Sequence, residues 1–163
     1  MKTLLRTLLS FSFIAWLGSE VFFPVVAQVT FNSLSPDTHT AGTIVGQLIR
    51  ILHGIGLVSG IVALAVLALA PAWNVYKPRA VLAPMALVVL MIAGTVYSQY
   101  GIIPAMERDR IASGGTINST DPSNPITADF NKLHNRSLWV EETVLLLGLA
   151  AVVLIARAET TRV

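Results

Sequence analysis

The chain has 163 residues, of which 11 are basic and 9 acidic. Its charged fraction is 12%, about half of the roughly 25% usual in a soluble domain, while 54% of residues are hydrophobic and mean hydropathy is +0.70. Too little polar surface exists to cover a water-soluble globule, and the apolar content equally excludes a disordered chain. The absence of cysteine removes disulfide frameworks, thiolate zinc sites and cysteine nucleophiles. A net charge of +2 is no signal for nucleic acid, so the expected partner is the lipid bilayer.

A membrane-crossing helix needs about 20 mostly apolar residues. Four stretches meet this requirement, 7–29, 51–69, 80–103 and 138–156, together about half the chain. Backbone groups in lipid must pair internally, and the period-2 alternation of a barrel is missing. The expected fold is all-α, one four-helix transmembrane domain over 1–163.

In the first stretch, Lys2 and Arg6 precede an apolar run that ends Val25-Val26-Ala27. This pattern also fits a cleaved signal peptide. The length of the run, with Trp16 and Glu20 inside it, favours a retained helix.

Next, Ser35-Pro36-Asp37 reads as an N-cap, a first-turn proline and an acid that complements the helix dipole. The second helix then starts near Pro36 and ends before Pro71, running roughly 50 Å, longer than the membrane core. Gly42-x-x-x-Gly46 and Gly56-x-x-x-Gly60 place small residues where helices approach closely. Contacts of that kind also admit a homo-oligomer.

Pro78 and Pro84 mark the start of the third span and Pro104 its end. A flexible outer loop is expected over about 107–127, rich in Gly, Ser, Asn and Pro. Within it, Asn118-Ser119-Thr120 matches the glycosylation acceptor pattern. Tyr97, Tyr100 and Trp139 read as interface anchors. Lys2, Arg6, Lys77, Arg79, Arg157 and Arg162 fall on one side of four crossings, which predicts both termini in the cytoplasm and a bacterial inner membrane.

The two hairpins can be laid over one another as a duplication, aligning Ser19-Glu20 with Ser98-Gln99 and Leu52-His53 with Leu133-His134. Parallel repeats place sites at their interface. The ligand or cation candidates are therefore Glu20, His53, Gln99 and His134, all at the outer side. A charge at mid-bilayer costs roughly 2.5–3.5 kcal/mol, so Glu20 should face the bundle with a partner.

His53 and His134 would supply two imidazoles for copper or haem. Arg50, Tyr97, Tyr100 and Glu141 are secondary candidates. Glu141 lies two turns beyond His134, about 10 Å along the same face, too far to share one ion with it. No Gly-rich phosphate loop, Gly-x-Ser-x-Gly elbow or His-Glu-x-x-His occurs, so enzymatic chemistry has little support.

Several segments are similar to a known family: Trp16-Leu17-Gly18 with Phe22-Phe23, Leu52-His53, Tyr97-Ser98-Gln99-Tyr100-Gly101-Ile102-Ile103-Pro104, and Phe130-x-x-Leu133-His134-x-x-Ser137. They resemble the transmembrane-protein-205-like family, whose bacterial branch is domain of unknown function 4149. The likeness runs from about Leu4 to Arg157 and implies a four-helix integral membrane protein of unsettled activity. A more distant resemblance to copper resistance D proteins concerns His53 and His134 alone. Glu20 and Glu141-Glu142 depart from many relatives.

The leading functional expectation is an outer-leaflet polar cluster that binds or passes a small cation, metal or cofactor. The alternatives are a structural scaffold or assembly factor without ligand, and a haem- or quinone-linked membrane oxidoreductase.

Overall fold

A computed structural model describes residues 1–114 and 124–160. Asn118, Asp121 and Arg162 lie outside the described residues. The chain forms α1 (Lys2–Ser33), α2 (Thr38–Leu69), α3 (Pro78–Tyr97), a π-helical turn (Ser98–Ile102), α4 (Ile103–Ala112) and α5 (Pro125–Thr160). The four candidate crossings are α1, α2, the continuous rod Pro78–Ala112, and α5. At 32 to 36 residues each, these rods run about 48–54 Å, well beyond a hydrocarbon core of about 30 Å. This is an all-α bundle with four apolar helices of membrane-crossing length. In it α1 packs on α2, α2 on α3 and α3 on α5, and α5 touches α1.

Each helix turns one narrow seam inward. On α1 the buried positions are Leu5, Leu9, Ser12, Phe13, Trp16 and Glu20, spaced by three or four. The seam of α3 and its π turn continues through Val88, Met91, Thr95, Ser98 and Ile102. Opposite faces stay exposed and apolar, as at Phe11, Ile14, Val58, Ile61, Leu90 and Leu146. Lipid, rather than water, suits such an exterior.

The helix ends differ from expectation in four places. Asp37, not Ser35, caps α2: its carboxylate accepts from the Thr40 amide at 3.0 Å, which holds the acid below its usual range. Pro104 does not end the third rod. The π turn lets Ile103 N–H donate to Ser98 O, and Pro104 enters the first turn of α4, where its missing N–H costs little.

The expected outer loop is helical at both of its ends. Here α4 extends through Ala112, and α5 begins at Pro125, where Asn124 Oδ1 accepts from the Ile126 amide at 3.0 Å. Finally, only one glycine pair lies at a close contact. A Cβ on Gly56 or Gly60 would fall 2.5 or 2.6 Å from the Trp16 ring, whereas one on Gly42 or Gly46 would meet nothing within 4 Å.

Candidate functional site

His53 is fully buried on α2 and is held from two other helices. Its Nδ1 lies 2.8 Å from Gln99 Oε1 of the π turn, and its Nε2 lies 2.9 Å from Glu141 Oε1 of α5. Ser98 Oγ donates to the same Glu141 oxygen at 2.8 Å. Adjacent side chains of a helical turn point roughly 100° apart, so Ser98 and Gln99 reach different neighbours from one segment. Such wide turns recur at functional sites.

Glu20 completes the group from α1. It is 7% exposed and interacts electrostatically with both Glu141 and His53. Its Oε1 has no hydrogen-bond partner, nor have Glu141 Oε2 or Trp16 Nε1. The Trp16 indole sits one turn before Glu20, close enough to interact with its carboxyl. One turn before Gln99, Thr95 Oγ1 is another buried and unpaired atom on the same seam. Unpaired buried polar atoms are uncommon in folded proteins, and two of these belong to the carboxyls that interact with His53.

The hydrogen bonds define the chemistry. An amide oxygen accepts only, so Gln99 fixes the proton on Nδ1 of His53. Nε2 then faces a carboxyl oxygen across one shared proton: either His53 is an imidazolium against a carboxylate, or both are neutral. Ser98 donating to that same oxygen favours the charged pair, because an ionised carboxylate accepts more readily.

Tyr97, Tyr100 and Trp139 are 51%, 70% and 71% exposed and look outward from the same turns. Exposed aromatic residues of this kind are enriched where membrane proteins meet the membrane–water interface.

The structure brings Glu20, His53, Gln99 and Glu141 to one level, but not His134. That imidazole is exposed and stacked on Phe130, with ring centroids 6.4 Å apart and planes 5° apart. The hairpin alignment misplaced it by two turns. Because α5 starts thirteen residues before its apolar stretch, the side chain it supplies at the level of His53 is Glu141, seven residues after His134.

Among the described residues His134 is not one of the groups bonded to His53, so the two imidazoles expected to pair for copper or haem have different surroundings. Among the described residues no three His, Cys, Asp or Glu side chains are set to hold a metal ion. Arg50 is exposed and interacts electrostatically with Glu107, away from the centre. Ser98 is a contributor beyond the candidates of the sequence, where its place beside Gln99 is the available signal.

The profile of the family described as Domain of unknown function (DUF4149) matches residues 11–110, and the chain belongs to that family. No curated protein and no solved structure matches it. The matched stretch contains Glu20, His53, Ser98 and Gln99 but ends before Glu141.

Proposed function

We propose that this member of the DUF4149 family is an integral membrane protein whose Glu20–His53–Glu141 centre takes up and releases a proton. The observation that carries this is a buried imidazole bonded to one carboxyl, with a second carboxyl beside it whose oxygen is unpaired. Two carboxyls and one imidazole in a low-dielectric interior are least costly when their charges cancel. An imidazolium, one carboxylate and one neutral carboxyl satisfy that condition. Removing one proton leaves an uncompensated charge, which the bundle must answer by moving or by accepting a counter-ion. Intramembrane acids and histidines serve as proton relays for this reason.

The wider kinship to transmembrane-protein-205-like and copper resistance D proteins belongs to the same reading, as does the cytoplasmic placement of both termini in a bacterial inner membrane. Support for the placement is the basic cluster Lys2, Arg6, Lys77, Arg79 and Arg157 at one end of four rods.

The test is a pH titration of purified protein by infrared spectroscopy, following the protonated-carboxyl band. Wild type should show a band that titrates, Glu20→Gln should remove it, and His53→Gln should shift its midpoint. A titration identical in wild type and His53→Gln would overturn the reading.

A structural role is favoured by a different observation: the hydrogen bonds of His53 join α2 to the π turn and to α5. That reading predicts that Glu20→Gln, which keeps size and polarity, leaves stability and phenotype untouched.

A further inference from the structure

The centre lies asymmetrically along the bundle. Towards the α1–α2 turn, polar side chains follow almost at once. Ser137, buried on α5, precedes Glu141 by four residues, about 6 Å along the axis. Further out, Arg110 of α4 donates to Thr43 of α2 at 2.5 Å, lies 3.3 Å from His39 Nδ1, and pairs with Glu107 at 2.7 Å. That end of the structure is polar.

In the other direction the next charged residue of α5 after Glu142 is Arg157, about 24 Å beyond Glu141, and on α1 it is Arg6, about 21 Å from Glu20. The interval is packed unusually closely. Trp16 is 1% exposed and its indole lies flush on Gly56 and Gly60. A Cβ on Gly148 would collide with Leu17 and fall 2.9 Å from Met91. Val88, Met91 and Ala151 are fully buried beyond that layer, and the buried hydroxyl of Ser12 is turned back onto Leu8 O at 2.8 Å. Among the described residues the buried polar side chains of this interval are the hydroxyls of Ser12, Ser59 and Thr95, with no carboxyl or imidazole among them, and the Trp16 ring lies across the seam.

We propose that the centre is one-ended: it exchanges protons with water only at the end bearing Arg110. Trp16, seated on Gly56 and Gly60, seals it from the end bearing Tyr76. The inference rests on the proton-binding reading and adds its direction. The groups facing His53 are Glu20 from α1, Glu141 and, through it, Ser98, and neutral Gln99 from the π turn. Passage of a proton through the bundle is thereby excluded, and the protein acts as a sensor or switch of the pH on one face.

The experiment uses the full chain in liposomes. Since the chain has no cysteine, Thr38→Cys and Ala72→Cys, both exposed, mark the two ends for orientation with an impermeant thiol reagent. The pH is stepped on one side at a time while the carboxyl band lost in Glu20→Gln is followed. The band should respond to a step on the Thr38 side and not to one on the Ala72 side. A response from the Ala72 side, from both sides, or from neither would overturn one-ended exchange. Collapsing the gradient with an ionophore separates the two readings, because a band still unresponsive then overturns proton binding itself. Folded Trp16→Ala should gain the missing response from the Ala72 side, and its failure to do so would remove Trp16 as the seal.

Discussion

On one side of His53 the bundle is held by shape, on the other by polar bonds. Between Trp16 and Ala158 the seams meet through glycines, alanines and branched side chains, with Leu67, Val88, Met91 and Ala151 fully buried. Towards the α1–α2 turn the rods are tied by Arg110 to Thr43 and His39, and α1 continues with exposed Val21, Phe22, Val25 and Val29. Apolar packing is non-directional and tolerates no foreign volume, whereas polar ties are directional and can be exchanged for water. Where the two regimes meet sits the buried cluster, with close-packed apolar side chains on one side of it and polar side chains on the other.

The largest expected effect falls on the meeting point. Glu141→Ala leaves His53 buried without its partner and should cost about 3–5 kcal/mol, the usual loss when one member of a buried pair is removed. His134→Ala, on an exposed face of the same helix, should stay within about 0.5 kcal/mol. Thermal unfolding in detergent compares the two; equal losses would place both imidazoles in one cluster and undo the description of the site.

A smaller effect separates the glycine pairs. Gly60→Ala puts a methyl into the Trp16 ring and should cost about 1–3 kcal/mol. Gly42→Ala meets open space and should be neutral or stabilising by up to about 1 kcal/mol. If both behave alike, close packing does not distinguish the two regions.

The smallest concerns the α2 cap. Asp37 is held below its ordinary range by the Thr40 amide, so its contribution is present above the unfolded carboxyl value and fades as pH falls through the folded one. Asp37→Ala should remove that acid-side dependence, which thermal unfolding across acidic pH would show. At the opposite end, burial and a hydrogen bond to Glu159 push the Tyr76 phenol up to about 12, so it stays a donor throughout such an experiment.

Composition and run length alone dictated four apolar helices, because lipid offers backbone groups no other partner. The polar residues inside them were equally legible as anomalies: Glu20, His53 and Gln99 stand out against an apolar background. Which anomalies meet was not legible. The alignment of hairpins chose His134 because it matched letter for letter, but the depth of a residue depends on where its helix begins and how far the rod runs past the membrane. Pro104 reads as a stop in sequence, whereas the π turn, bonded to α2 through Gln99 and to α5 through Ser98, carries the helix through it.

The sequence by itself therefore determined class, number of crossings and the small set of residues that lipid penalises, since those follow from local transfer costs. Tertiary structure alone decided that Glu141 rather than His134 faces His53, and that Ser98 joins them. Rotation and axial offset of packed helices are collective quantities, set by the close fit of Trp16, Gly56, Gly60 and Gly148 and by no single segment.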